Sequence, residues 1–164
     1  MRSLVLTALL AVISCRPAAV APIPEEVEDT SAAQLRVLGK GSYGREGTDQ
    51  PAVFIATSDA EFGDLWRRYI RDTPPLVDFS RESAVFLLLG NRSTGGYSID
   101  PQAVGIVEKE VRIEAPVTSP GRESIVTMAL TAPFAVVAVP RSGVVTAVWM
   151  DGEKIISRGE GKRR

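Results

Sequence analysis

Few side chains in this sequence of 164 residues are able to do chemistry. It contains no histidine, which removes the most common proton-transfer group near neutral pH and the most common metal ligand. Cys15 is the single cysteine, so neither a disulfide within the chain nor a thiolate metal site is expected. Catalysis by Ser–His or Cys–His pairs is therefore excluded.

Two serine–lysine pairs need no histidine and are nominal catalytic dyads. They are Ser42 with Lys40 and Ser157 with Lys154. Pairs at such short spacing occur by chance. A catalytic pair of carboxylates would need one buried acid, but the acidic residues cluster at 25–29 and at strand ends, where water keeps them ionised. We therefore predict no enzyme, no metal and no cofactor. A hydrolase that uses serine without histidine stays open as an alternative.

Three glycines, Gly39, Gly41 and Gly44, match the GxGxxG pattern and look like the glycine-rich loop of a protein kinase. A kinase also needs a lysine on the following strand and a far longer chain. The strand expected after these glycines, at residues 52–56, has no lysine. We interpret the pattern as a glycine-rich hairpin loop and not as a nucleotide site.

A more informative polar stretch follows a continuous apolar run at residues 84–89. Its residues, named here the 91–97 loop, are Asn91, Arg92, Ser93, Thr94, Gly95, Gly96 and Tyr97. Adjacent glycines permit a positive φ or a close backbone approach, and an aromatic residue after them can project from the turn. One interpretation is a hairpin loop without a function; the other is that Thr94 and Tyr97 are presented to a partner.

An export segment is predicted at residues 1–14. Arg2 gives it a positive start, and its apolar run is too short to cross a hydrocarbon core of about 30 Å. Residues 12–15, Val-Ile-Ser-Cys, resemble the bacterial lipobox, which implies that Cys15 becomes a lipidated N-terminus bound to a membrane. Ordinary cleavage near residues 18–21, giving a soluble secreted protein, is the alternative.

The prolines and acidic residues at 15–30 have no helical or strand period, so we predict the lipid attachment point followed by a flexible tether. A single binding domain is expected at residues 31–158 and a frayed tail at 159–164. The expected location is the bacterial cell envelope, with the domain facing the periplasm or the exterior.

One helix is predicted, and it starts where Ser58 and Glu61 form a capping box. Its apolar residues recur at helical spacing on one face: Phe62, Leu65, Trp66, Tyr69 and Ile70. We expect Arg67, Arg68 and Arg71 on its solvent side and Trp66 and Trp149 in the core.

Strands account for most of the remaining pattern. Runs at residues 35–38 and 52–55 predict a hairpin, and the run at 84–89 predicts a central strand buried on both faces. Further strands are expected at 104–107, 111–113, 124–130, 134–139, 144–149 and 154–156. The fold class is α+β and β-rich: an antiparallel meander rolled into a sandwich or small barrel, with one packed amphipathic helix.

Several motifs between residues 58 and 140 occur in a recognisable order. They are Leu65-Trp66 in the helix, Val77-Asp78-Phe79-Ser80, the apolar strand, Thr94-Gly95-Gly96-Tyr97-Ser98-Ile99, Pro116, and Leu130-Thr131-Ala132-Pro133-Phe134 leading to Val139-Pro140. In this order they resemble the C-terminal domain of the protease complex subunit PrcB family. The resemblance implies an envelope lipoprotein that stabilises or assembles a partner protease, in agreement with the lipobox.

A second resemblance concerns only part of the loop. Residues 91–95 are similar to the first binding loop of chagasin-type cysteine protease inhibitors, which are β-sandwiches; their Gly-x-Gly and Arg-Pro-Trp loops have no convincing counterpart here. Met128 and Phe134 also replace the Gln and Tyr that PrcB family members tend to carry, so polar contacts there are not carried over.

The sequence thus predicts a non-catalytic, lipid-anchored envelope protein that binds and stabilises a partner protein through the 91–97 loop. A protease is the partner class that the resemblance implies, and a chagasin-like inhibitor is the alternative. The formal net charge of −1 offers no basic surface for nucleic acid, so no nucleic-acid partner is expected.

Overall fold

The computed structural model of this chain describes residues 31–32, 35–141, 143 and 145–161. The predicted signal peptide at 1–14, the lipidation site Cys15 and the predicted tether lie outside these residues. Within them, the structure contains no helix with the length and apolar character that crossing a bilayer requires.

The described elements are eleven strands and one helix. In chain order they are β1 (Ser31–Ala32), β2 (Arg36–Gly41), β3 (Ala52–Ala56), α1 (Asp59–Tyr69), β4 (Glu82–Leu88), β5 (Ser98–Ile99), β6 (Ala103–Val107), β7 (Glu110–Glu114), β8 (Val117–Thr118), β9 (Phe134–Pro140), β10 (Thr146–Asp151) and β11 (Lys154–Glu160).

Two main sheets and the helix form three layers. The four-stranded sheet has the order β2-β9-β4-β3 and is antiparallel throughout. The five-stranded sheet has the order β1-β6-β7-β10-β11, and β5 pairs with β8 in a small separate ribbon. The predicted β-rich α+β sandwich is confirmed. The five-stranded sheet departs from a pure antiparallel meander, because β7 and β10 run parallel.

Strand β4 holds these layers together because both of its faces are apolar. Val85 and Leu87 point into the core between the two sheets, whereas Phe86 and Leu88 point into the core beneath the helix. All four side chains are buried. The prediction of a central strand buried on both faces is confirmed.

The helix begins where its sequence predicts, directly after Ser58. Ser58 accepts a hydrogen bond from the Glu61 amide, and the Glu61 carboxylate accepts one at 2.9 Å from the amide of Thr57, one residue before the cap. Trp66 is buried against Phe86 with ring centroids 6.2 Å apart. The arginines of α1 lie on its exposed side, as predicted.

Trp149 is the largest fully buried side chain of the other core. Its indole Nε1 donates a hydrogen bond of 2.7 Å to the carbonyl of Ala115, which satisfies the one polar group it brings into the interior. The predicted core positions of both tryptophans are confirmed.

Two strand predictions were wrong. The runs at 35–38 and 52–55 do not form a hairpin, because β2 pairs with β9 and β3 pairs with β4. Residues 124–130 belong to no strand. Strand β11 extends through Glu160, two residues beyond the predicted domain end at 158, and residues 162–164 lie outside the described residues.

Candidate functional site

The start of the 91–97 loop, just after strand β4, is fixed by Gly90 and Asn91. Gly90 has a φ of +86°, and a Cβ there would lie 2.9 Å from the carbonyl oxygen of Thr48, so only glycine fits without strain. The next amide, that of Asn91, donates a 2.8 Å hydrogen bond to the same Thr48 carbonyl. The start of the loop is therefore fixed against the segment between β2 and β3.

The middle of the loop is held by Thr131. Arg92 and Thr131 form an antiparallel bridge, with N–H to O distances of 2.8 and 2.9 Å in the two directions. The hydroxyl of Thr131 donates a further 2.9 Å bond to the carbonyl of Thr94. Because Thr131 is itself buried, this threonine joins the loop to the residues that lead into β9.

The two adjacent glycines have different reasons to be there. The Gly95 amide donates a 2.8 Å bond to the Thr127 carbonyl. Gly96 has a φ of +85°, and a Cβ there would lie 3.0 Å from Pro120 and 3.1 Å from Val126. The positive φ expected from a Gly-Gly pair therefore occurs at Gly96, where the chain also passes close to its neighbours.

Tyr97 does not project from the turn as the sequence suggested. It is half-buried and packs against the core between the two main sheets. The Arg92 guanidinium lies 5.6 Å from the centroid of its ring and donates a 2.9 Å bond to the Leu89 carbonyl. The physical reason is that a large aromatic side chain gains more from burial beside a sheet than from exposure at a turn.

The surface that the loop presents to solvent is therefore formed by its exposed residues, which are not aromatic. Asn91, Ser93 and Gly96 are exposed, Arg92, Thr94 and Tyr97 are half-buried, and Gly95 is buried. The structure brings all seven predicted residues into one rigidly held turn. Their contact with a partner stays a prediction.

The segment of residues 124–130, named here the exposed segment, lies beside the loop and was not recognised from the sequence. Its large apolar side chains face outwards: Ile125 is fully exposed, Met128 is 84% exposed and Leu130 is 82% exposed. The same β-branched and apolar residues predicted a strand, so the pattern of the segment gave no sign of exposure. The absence of charged residues between Glu123 and Arg141 is likewise typical of a buried segment.

The remaining candidates have structural explanations. Cβ atoms at Gly39 and Gly41 would lie 3.0 Å from Trp66 and 3.1 Å from Phe134, so these glycines make room for aromatic rings. The first two glycines of the kinase-like pattern therefore lie in strand β2, and only Gly44 follows it. No group of three or more acidic, histidine or cysteine side chains that could hold a metal occurs within the described residues.

The nominal Ser–Lys pairs are also engaged elsewhere. The Ser42 hydroxyl donates to the carbonyl of Tyr97 at 3.0 Å, and Ser157 donates to a carbonyl of the segment before β3. The ammonium of Lys40 pairs with Asp100 at 2.9 Å, and this hydrogen bond and charge lower the pKa of the Asp100 carboxyl. Lys40 and Ser42 thus support the loop and the strand beside it.

A comparison with known families addresses the region that contains this site. Residues 83–140 match the PrcB C-terminal family model. The match confirms the resemblance predicted from the sequence. No curated protein and no solved structure matches the chain.

The matched region includes the site just described. It contains nearly all of β4, the 91–97 loop, the exposed segment and β9. PrcB proteins are accessory subunits of a protease complex, and the match to their family covers 58 of the 164 residues of this chain. Besides this central strand pair of the four-stranded sheet, the PrcB-like region includes the β5–β8 ribbon and strands β6 and β7 of the five-stranded sheet.

Proposed function

We propose that this chain is a non-catalytic, lipid-anchored envelope protein that binds and stabilises a partner protease through the 91–97 loop. The observation that carries the proposal is that this loop, within the PrcB-like region, is held in one conformation by main-chain bonds to Thr48, Thr127 and Thr131. A loop that is already ordered loses little conformational entropy when it binds, which favours a role in recognition.

The non-catalytic part of the proposal is supported by the state of the candidate nucleophiles. The hydroxyls of Ser42 and Ser157 both donate to main-chain carbonyls, whereas an activated serine donates to a general base. Neither hydroxyl therefore has the partner that would raise its nucleophilicity. Turnover of substrate by the purified protein, abolished by Ser42→Ala or Ser157→Ala, would contradict this part.

Crosslinked co-purification from solubilised envelopes tests the proposed contact. Ser93 is exposed at the crest of the loop, and Ser93→Glu places a charge there without removing a described internal contact. We expect wild type to capture a protease and Ser93→Glu to capture at least tenfold less, roughly the effect of a 1.4 kcal/mol loss. Thr73→Glu, at an exposed position after α1, is the matched control and should capture as much as wild type.

The activity of the captured protease separates a stabiliser from an inhibitor. A stabiliser prolongs the activity of the protease on storage or heating, since a ligand of the folded state lowers the population of the unfolded state. An inhibitor abolishes activity at stoichiometric ratio. Equal capture by wild type and Ser93→Glu would mean that the loop is only a turn.

The anchor is tested separately at Cys15. If this cysteine carries lipid, Cys15→Ala moves the protein from the detergent-dependent fraction to the freely soluble fraction, because the buried acyl methylenes that hold it to the bilayer are lost. Unchanged partitioning would refute lipidation at this residue and leave the proposed contact intact.

A further inference from the structure

The exposed segment shows more apolar surface than a connection needs. Ile125, Met128 and Leu130 are large apolar side chains that proteins usually bury, and here three of them are at least 82% exposed within six residues of one another. Apolar side chains exposed singly are ordinary, whereas a group of this kind marks an interaction surface.

The backbone of the same segment is also unpaired. After Ser124, the one main-chain hydrogen bond of the segment is the one that the Thr127 carbonyl accepts from Gly95, and the amides of residues 125–130 donate to no acceptor within the part of the chain that the structure describes. None of these residues has a positive φ, and the chain bends at Ala129, so a strand conformation is open to the residues before that bend. It thus resembles an unpaired edge strand, whose free main-chain groups can pair with another strand.

The position of the segment is nevertheless fixed. Its start is tied down by the 3.1 Å bond from the Ser124 amide to Gly121, and its end by the bridge between Thr131 and Arg92. Val126 points inwards and packs beside Gly96. A partner would therefore meet preformed apolar and hydrogen-bonding groups.

The charge of this surface defines the chemistry of the partner. The exposed segment itself carries no charge, and Arg92, the one cation of the 91–97 loop, directs its guanidinium to the Leu89 carbonyl and the Tyr97 ring. A charged partner segment would lose hydration here without gaining an opposite charge. An uncharged segment with apolar side chains would not.

We propose that residues 125–130 act as a template to which an extended, uncharged segment of a partner polypeptide adds as a strand. Main-chain hydrogen bonds to the free amides supply affinity, and contacts with Ile125, Met128 and Leu130 supply selectivity for apolar side chains. The inference rests on the proposed function, since it names the way in which the partner protein is bound.

An exposed apolar segment could also insert into a membrane, but the structure argues against membrane insertion here. Unpaired amides lose their hydrogen bonds to water in hydrocarbon without replacement, so non-helical backbone is not inserted there. The flanking charges, Arg122 and Glu123, cancel and give no attraction to anionic headgroups.

The test uses a display library of random ten-residue peptides selected on the purified full-length protein. We expect the enriched peptides to be uncharged, with apolar residues at every second position. N-methylation of alternate peptide amides should abolish binding in one register and be tolerated in the other, because only every second amide of an added strand faces the template. Amide exchange at alternate residues within 125–130 should slow when the peptide is added.

Side-chain variants complete the test. The double variant Ile125→Ser/Met128→Ser should bind the selected peptide at least tenfold more weakly, roughly a 1.4 kcal/mol effect. Leu76→Ser is the matched control, since Leu76 is 96% exposed but lies outside the segment, and it should bind as wild type does. Thermal unfolding of both variants checks that the fold is kept.

Enrichment of charged peptides, no enrichment at all, binding that survives the double variant, or binding of the protein to phosphatidylcholine vesicles through this segment would overturn the inference. Protease capture by the double variant equal to that of wild type would overturn the strand addition and leave the proposed function standing. Failure of wild type itself to capture a protease would count against the proposed function.

Discussion

Gly96 is the residue on which the shape of the loop depends most directly. It combines a φ of +85° with close approach to Pro120 and Val126. Gly96→Ala should lower the free energy of unfolding by about 2 kcal/mol, because it adds backbone strain and forces these neighbours apart. Urea denaturation provides the measurement.

Gly95→Ala is the matched control for that change. A Cβ at Gly95 would make ordinary contact with Thr127 at 3.6 Å, so this variant should stay within about 0.5 kcal/mol of wild type. Equal losses at both glycines would mean that the loop conformation described here is not the one that the protein adopts.

Single residues were predictable from the sequence where one local interaction decides their place. Ser58 caps the helix because its hydroxyl suits the free amides of the first turn, and Trp66 is buried because it lies on the apolar face. Tyr97 was not predictable in this way. Its place depends on Arg92 and on the core between two sheets, which no local pattern contains.

The positions of the helix and strands could be predicted from local sequence patterns, whereas the pairing of the strands could not. The helix and strand β4 were recognised because their apolar periods match a helix and a doubly buried strand. The pairing of β2 with β9, which is distant in sequence, could not be predicted. The residues of a strand indicate which of its faces is buried but not which other strand it pairs with. The exposed segment was mistaken for a strand for the same reason.

The junction between the two main sheets allows a prediction at the scale of elements. At Gly159 of β11 a Cβ would lie 2.1 Å from the carbonyl oxygen of Val53 in β3, so the strands approach too closely for any side chain. Gly159→Ala should lower the free energy of unfolding by about 3 kcal/mol through forced separation of the strands.

Gly161 provides the comparison for this junction in a thermal or urea unfolding series. Its Cβ would meet Ile55 at 3.7 Å, an ordinary contact, and Gly161→Ala should change stability by no more than about 0.5 kcal/mol. If Gly159→Ala proved as stable as Gly161→Ala, β3 and β11 would not meet as described.

The stability of the whole molecule should depend on pH through Asp100. Its pKa lies below the ordinary value of 3.8 because the Lys40 ammonium donates to the carboxylate and attracts its charge. The folded state therefore binds this proton less readily than the unfolded state. The stability that the pair contributes is present above pH 3.8 and is lost as the pH falls below it.

Asp100→Asn tests this dependence by urea denaturation at two pH values. The variant should be less stable than wild type at pH 7, by a small amount because both side chains are exposed, and the difference should shrink near pH 2. Added salt at pH 7 should also reduce the difference. A difference that grew on acidification would show that the carboxyl pKa is not lowered by Lys40.

At the scale of the whole molecule, the layered architecture and the family resemblance were both accessible from the sequence. The order and spacing of the motifs were enough to recognise the resemblance to the PrcB family, and residues 83–140 match the model of that family. The surface that sequence reasoning missed arises where two connections, 91–97 and 124–130, meet through a hydrogen bond between Gly95 and Thr127. Such a meeting is a property of the folded chain only.

The central claim is that the protein meets its partner protease at this loop. A photo-crosslinking amino acid at Ser93, compared with one at Asp64 on the exposed face of α1, tests it directly in intact envelopes. The account predicts a crosslink to a protease, identified by mass spectrometry, from position 93 and none from position 64. Equal crosslinking from both positions, or a protease crosslink from position 64 alone, would contradict it.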